Sequence, residues 1–376
     1  MTDRRAADHS EAPMIDRLAE LIAIRSTADR PAELHRALDL VIDAAGPGFA
    51  VRRFASNGKP SALLTPPGAS RGDLRVILNA HLDVVPAPDD QFVPRRDGDR
   101  LYGRGAHDMK AAALVLTAVF GEVAAGLSYP IGLQLVTDEE VGGADGTAHQ
   151  LAQGVRAGFV VIGEQSALRV VTESKGICQA RLSTTGRAAH AAYPWLGSNA
   201  LSGLAVALDR LLARYPVPAA EEWTTTVNVA RIETPNHAYN QVPAAAEAWL
   251  DIRFPPTDPD FAGRTSSEVS AYLENLTGAS ATVDALGPPH HADPDGPGVL
   301  ALRTAIRATG HPADLLRKHG AADARYYHAQ GIDAVIFGPG GDGQHGPAEY
   351  VDLTTLRPYH DAMAGFLRGF TPPPTT

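Results

Sequence analysis

Four stretches of this chain are largely apolar runs, without strict alternation, that stop on Gly, Asp, Glu or His: "LRVILNAHLD" (74–83), "IGLQLVTDEE" (131–140), "GFVVIGEQ" (158–165) and "DAVIFGPGGDGQH" (333–345). A strand with one wet face alternates apolar and polar residues, so a run that is apolar throughout is buried on both faces. That is the mark of a mostly parallel sheet covered by helices on both faces, an α/β domain. In such open sheets ligands sit beyond the carboxyl ends of the strands. All four runs carry their ionisable groups at that end.

The remaining segments fill in the architecture. "MIDRLAELIAI" and "PAELHRALDLVIDAAG" have apolar residues at helical spacing, the second stopping at glycine. From Gly176 to about Leu286 the texture changes to strand "ICQARLSTT", helix "SNALSGLAVALDRLLARY", strands "TTTVNVARIE" and "AEAWLDIRF", helix "TSSEVSAYLENL" and strand "ASATVDAL". The order βαββαβ is a split βαβ sandwich. "ESKG" before it and "GPPHHADPDGPG" after it look like paired linkers. The expected arrangement is therefore a discontinuous larger domain, residues 1–175 and 288–376, which carries the strand-end ionisable groups, interrupted by an inserted domain, 176–287. A chain of 376 residues is long enough for two cores. The first dozen residues and the end, "TPPPTT", read as unpacked tails.

Composition removes some partners. The net charge of -10, with no Lys/Arg run, argues against nucleic acid. No apolar run is long enough to span a bilayer, which argues against a membrane protein. A polar start and a single cysteine, Cys178, point to a reducing cytoplasm.

The strand ends carry the chemistry. His81 and Asp83 are two apart, so on a strand they share a face and can touch. Asp108, in "YGRGAHDMKAAALVLTAVF", would alone read as a helix cap. "TDEEVGG" supplies Asp138, Glu139 and Glu140, whose side chains diverge; "VIGEQS" adds Glu164, and "GDGQHGPAE" adds His345 and Glu349. Carboxylates gathered at one sheet edge repel one another and lose hydration. A bound cation removes that difficulty. Imidazole and carboxylate without cysteine suit zinc, with cobalt or manganese as possible substitutes. Two histidines and three carboxylates suffice for two ions if one carboxylate bridges.

"HLDVVP", "GRGAHDMK", "DEE", "GE" and "GPGGDGQH", in this order, resemble the motifs of the metallo-amidohydrolase and metallopeptidase family that includes acetylornithine deacetylase, succinyl-diaminopimelate desuccinylase and glutamate-releasing carboxypeptidases. The resemblance implies two zinc ions, one held by His81, Asp108 and Glu164, the other by Asp108, Glu140 and His345. Asp108 would be the bridge. Asp83 matches the residue that orients the first histidine, and Glu139 the general base that takes a proton from the attacking water and passes it to the leaving amine. His190, in "GRAAHAAYPWLGSNA", matches a histidine that stabilises the oxyanion, usually in the partner subunit of a homodimer formed through the inserted domain, which also acts as a lid. Asn240 in "NQVP" and Arg253 in "DIRFP" match substrate-holding residues, and Arg suits a free carboxylate.

The expected substrate is thus a small N-acylated amino acid, or a dipeptide, with a free carboxylate. Desuccinylases resembling this chain carry hydroxyl residues before the aspartate of the late loop, but here "RKHGAADARYY" has Ala321 and Ala322 before Asp323, which disfavours succinyl-diaminopimelate. Arg317, Lys318 or His319 could serve a different acyl group. Deacylase is the first reading, with a dipeptidase or carboxypeptidase as the alternative. A non-catalytic metal-binding module is disfavoured by Glu139, because a pure binder has no need of a base beside Glu140.

Overall fold

The computed structural model describes residues 4–371, which fold into two compact units. One comprises the residues up to Thr172, Ala292–Leu316 and those from Tyr326 onward; the other comprises Glu173–His291 and Arg317–Arg325. The return to the second unit at Arg317–Arg325 is absent from the single-insertion boundaries expected above.

The first unit opens with helices α1 (Arg4–Ala23) and α2 (Pro31–Ala44), strands β1 (Ala50–Ser56), β2 (Lys59–Thr65) and β3 (Leu74–His81), and a hairpin of β4 (Arg95–Asp97) and β5 (Arg100–Tyr102). Helix α1 begins at Arg4, inside the stretch expected to be an unpacked tail; the C-terminal tail falls largely on residues 372–376, outside those described. Helix α3 (Ala111–Val123), β6 (Ile131–Val136), α4 (Thr147–Ala152), β7 (Ala157–Ile162) and β8 (Val170–Ser174) follow.

The second unit holds β9 (Gly176–Thr185), α5 (Ala200–Arg214), β10 (Thr226–Glu233), β11 (Ala245–Phe254), α6 (Ser266–Thr277), β12 (Ser280–Gly287) and β13 (His290–His291). Its antiparallel sheet runs β10-β11-β9-β12. On β11 burial alternates residue by residue, the period-two pattern of a sheet with one covered face. Leu204, Leu208 and Leu211 of α5 and Val269 and Leu273 of α6 share one core with Cys178, Leu250 and Ile252 of the sheet. Helix α6 starts with a capping box, the Thr265 side chain accepting from Glu268 N while Glu268 accepts from Thr265 N.

The chain then adds α7 (Pro297–Ala308), β14 (Leu315–Lys318), α8 (Ala324–His328), β15 (Ala334–Ile336), β16 (Gly341–Asp342), β17 (Tyr350–Asp352) and α9 (Leu356–Gly369). In the first unit the sheet order is β1-β2-β6-β3-β7-β15-β8. The four apolar runs supply β6, β3, β7 and β15, which are neighbours and mutually parallel. Their carboxyl ends therefore emerge side by side. The flanks are antiparallel, β1 with β2, β2 with β6 and β15 with β8, so the sheet is mixed, with its parallel part at the centre. Helix α3 lies on β3 and β6, and α9 on α3 and α7.

The stretch Ala106–Gly126 is by length and composition apolar enough to cross a membrane, contrary to the expectation that no run reaches that length. Its window is 72% buried inside the fold, as a core helix is. A second small sheet, β16-β17-β5-β4, frames the loop that carries His345. Arg95 lies over the Tyr102 ring and Arg100 over the Tyr350 ring, 4.2 and 4.5 Å from the centroids, bracing that frame.

Candidate metal centre

Three groups of the centre's surroundings, His81, the Glu139–Glu140 turn and Glu164, stand where central strands end. His81 is the last residue of β3; Glu139 and Glu140 form the turn after β6; Glu164 follows β7 by two residues; His345 lies in the loop after β16. Asp108 comes from the chain ahead of α3. Its backbone (φ -119, ψ 93) is not helical and α3 starts at Ala111, so Asp108 is not the helix cap that its sequence context allows. Gly105 just before it is left-handed (φ +80), and a Cβ there would lie 2.6 Å from Val84 Cγ1.

The groups converge. His81 Nε2 lies 3.0 Å from Asp108 Oδ1, while His345 Nε2 lies 3.3 Å from Asp108 Oδ2 and 3.1 Å from Glu140 Oε1. Asp108 thus turns one oxygen to each histidine. Ligand atoms of His81, Asp108 and Glu140 all lie within 4.8 Å of one another, as do those of His81, Glu139 and Glu164. These groupings cut across the assignment drawn from resemblance: Glu140 stands near His81 as well as His345, and Glu139 lies beside Glu164. The donor set is nitrogen and carboxylate oxygen only, His81, Asp108 and Glu164 are buried, and Glu140 is half-buried. It fits zinc or a similar divalent ion in chemistry and spacing.

Proton affinities reflect the same crowding. Burial works against the charged His81 ring, yet hydrogen bonds to Asp108 and Asp83 hold its pKa well above the usual value. Hydrogen bonds to Asp108 and Glu140 push His345 up to about 10. Asp138, buried behind the turn and accepting from Asp145 N at 2.6 Å, is raised by burial to about 6.

Asp83 is fully buried and does more than the two-residue spacing foretold. The nearest atom to His81 Nδ1 is the Asp83 carbonyl oxygen at 3.0 Å, with the carboxylate at 3.5 Å. That carboxylate accepts from Glu139 N at 3.2 Å and Glu140 N at 3.0 Å, so one side chain fixes the whole acidic turn. Glu349 does a similar service for Asp108: its Oε1 accepts from His107 N at 3.0 Å and Asp108 N at 3.1 Å, and its Oε2 accepts from Arg104 Nη1 at 2.6 Å. Gln344 Nε2 donates to Asp108 Oδ2 at 2.5 Å. The roles of Arg104, Gln344 and Glu349 were not read from sequence. Arg104 and Glu349 are 245 residues apart and share no motif, and the only signal is a charged residue set inside each glycine-rich loop. Lys110 is buried as well, donating to the carbonyls of Leu21 and Ile24 at 3.0 and 2.8 Å, and burial lowers its pKa to about 7.

The other expected residues lie in the second unit. His190 and Asn240 are exposed; His190 pairs with Gln241 in an isolated antiparallel bridge, and Ala191 N donates to Asn240 O at 2.8 Å. Ala192 N donates to His190 Nδ1 at 3.1 Å, so the neutral ring carries its proton on Nε2. Arg253 is engaged already: Nε and Nη2 donate to Asp251 at 2.6 and 3.2 Å.

Comparison with known proteins shows what the chain is similar to. The sequence profile described as "Peptidase family M20/M25/M40" matches residues 77–369. The chain is 32% identical over 322 residues to a "Probable carboxypeptidase" of Aspergillus terreus, covering 80% of this chain and 71% of that one. It is 31% identical over 311 residues to a "Succinyl-diaminopimelate desuccinylase" of Bordetella petrii, covering 75% and 79%. The fold is similar to that of a tripeptidase from Staphylococcus aureus, with a TM-score of 0.76 at 19% identity over 95% of this chain and 98% of the other.

Proposed function

We propose, from the premise that the chain belongs to peptidase family M20/M25/M40 and is a metal-dependent amide hydrolase, that it removes the acyl group from an N-acylated amino acid bearing a free carboxylate. The observation that carries this is the meeting of His81, Asp108, Glu140 and His345 at the carboxyl ends of the parallel strands, with Glu139 beside them.

In this reading His81, Asp108 and Glu164 would hold one zinc ion and Asp108, Glu140 and His345 the other. The ions would act as Lewis acids that make water a nucleophile near neutral pH. Glu139 accepts the proton of the attacking water and delivers it to the departing amine, a transfer that needs a carboxylate on a fixed support. Asp83 is that support's anchor through the two backbone N–H groups it holds. His190, with its donor on Nε2, supports the oxyanion from a second copy of the chain, in a homodimer formed through the second unit. Asn240 and Arg253 hold the substrate, and Arg253 would exchange Asp251 for the substrate carboxylate.

A second reading keeps the centre but makes the substrate a dipeptide or a C-terminal peptide bond. The likeness to a probable carboxypeptidase favours it. Amine release from N-acetyl, N-succinyl and N-formyl amino acids and from dipeptides, with zinc-reconstituted protein against a metal-free control, separates the two. A zinc-dependent preference within the N-acyl set supports the deacylase, turnover of peptides alone supports the second reading, and no turnover of any member defeats both.

A further inference from the structure

Beside the acidic turn the first unit opens into a cavity of about 280 Å³. Glu140 forms part of its wall, so it shares a side chain with the metal centre. The rest comes from the α1–α2 connection and from the chain that runs on from His81 and Asp83. Val85, Pro86, Ala87, Phe92 and Val141 make most of the lining apolar, and Val141 is 58% exposed, a large apolar residue at an open edge.

The arginines of its lining are offset by carboxylates. Arg25 donates to Asp89 at 2.6 Å and lies over the Phe92 ring, 5.6 Å from the centroid. Arg30 follows Asp29 in the chain, and Asp29 accepts from Thr27 Oγ1 at 2.5 Å. Two arginines thus share the lining with three carboxylates, Asp29, Asp89 and Glu140, and the cavity has no positive surplus with which to attract an anionic group. The volume falls just below the range of pockets that enclose a whole drug-sized ligand and suits a single side chain.

We propose that this cavity is the side-chain subsite of the centre, taking an uncharged apolar hydrocarbon group, of leucine to phenylalanine size, carried next to the scissile amide. The inference rests on the hydrolase reading and narrows its substrate class. It disfavours dicarboxylic acyl groups such as succinyl, whose second carboxylate would meet arginines already offset by Asp29 and Asp89. The hydrocarbon has two sources, the amino-acid side chain or the acyl chain, and two arms of one experiment separate them.

The first arm measures kcat/KM of the zinc-reconstituted enzyme for N-acetyl derivatives of Gly, Ala, Leu, Met and Phe. The second uses glycine carrying acetyl, hexanoyl or benzoyl groups. One arm should rise with apolar size by roughly 10- to 100-fold, the range an apolar pocket provides. Ala87→Trp, which fills the cavity, and Val141→Gln, which makes its edge polar, should each reduce that large-to-small ratio at least several-fold. Calorimetric binding of N-acetyl-leucine and hexanoyl-glycine to the Glu139→Ala protein, each against N-acetyl-glycine, reads the same preference without turnover. Equal values in both arms, or a preference unmoved by either substitution, overturns the subsite while leaving the hydrolase reading intact. If no compound is hydrolysed the hydrolase reading fails, and the calorimetric preference alone then decides the cavity, its absence overturning the proposal.

Discussion

The carboxylate of Asp83 accepts a hydrogen bond from the backbone N–H of Glu140 at 3.0 Å and, through its other oxygen, one from Glu139 at 3.2 Å. An asparagine at 83 keeps one acceptor and turns an amide N–H₂ toward a backbone N–H. The clash leaves a buried donor unmade, a loss of about 1–3 kcal/mol. Asp83→Asn should therefore weaken metal binding or turnover by roughly 10- to 100-fold, the usual effect of removing a group that supports ligands. Metal titration and kcat measure it, and wild-type values for both would refute the anchoring role.

Glu139 lies within 4.8 Å of His81 and Glu164 yet is expected to act on protons. Glu139→Ala should retain two metals per chain while kcat falls by roughly 100- to 10,000-fold, the range for loss of a positioned acid–base group. Metal content by mass spectrometry, set beside turnover, distinguishes this from loss of a ligand. One ion missing in the variant would make Glu139 a ligand instead.

Gly338 touches the backbone that presents Glu164. A Cβ at 338 would lie 2.4 Å from the Glu164 carbonyl oxygen and 2.5 Å from that of Gly163, so the two loops would have to part. Gly338→Ala should lower stability by about 1–3 kcal/mol, as overpacking does. It should also loosen metal binding, because Glu164 moves with its backbone. A thermal scan with and without zinc checks both, and an unshifted midpoint contradicts the packing argument.

Arg253 is held by Asp251 with two hydrogen bonds, on alternate residues of one strand and hence one face. If it reads the substrate carboxylate, Arg253→Ala should raise KM for N-acyl amino acids by roughly tenfold or more, since such a bond contributes about 1.5–3 kcal/mol. The same substitution should leave KM for the corresponding carboxamides nearly unchanged. Asp251→Asn should act in the opposite sense by releasing the guanidinium. Equal KM effects on acid and amide would assign Arg253 to structure alone.

Asp260 in the second unit supplies a pH dependence away from the centre. Burial alone would raise its pKa, but hydrogen bonds from Tyr215 at 2.8 Å and Tyr272 at 3.0 Å, together with Arg214 at 2.6 Å, bring it below the ordinary carboxylate value. A value depressed in the folded state means that the carboxylate stabilises the fold fully above its unfolded pKa, near 4, and that this is lost as pH falls through the folded value. Asp260→Asn should lower the midpoint of denaturation at pH 7, with the gap from wild type closing below about pH 4. A gap that persisted at pH 2 would exclude charge as its source.

Much of the fold was legible because apolar runs announce strands buried on both faces, and β3, β6, β7 and β15 do become adjacent and parallel. The antiparallel flank of β1 and β2 carries no such run, and its one mark in the sequence is the Asn57–Gly58 turn that joins the two strands. Among the site residues, those at strand ends could be found by position: His81, Glu140 and His345 come within hydrogen-bonding range through Asp108. Residues that act through backbone groups were harder to see. Asp83 was legible as a neighbour of His81 but not as the clamp on Glu139 and Glu140, because nothing in sequence says which N–H groups a buried carboxylate meets. The same is true of Glu349, which holds the approach to Asp108 from the other end of the chain.

Strand β15 lies between β7 and β8, though both are encoded far earlier. During synthesis the central sheet must wait for Ala334–Ile336, by which point most of the 376 residues have left the ribosome. Until then β7 and β8 present bare hydrogen-bonding edges, the kind of surface on which nascent chains stick to one another. A chain stopped even forty-five residues short of its end would lose an interior strand, and with it the loop that brings His345. The order of strands thus makes completion of the chain a condition for closing both the sheet and the metal centre.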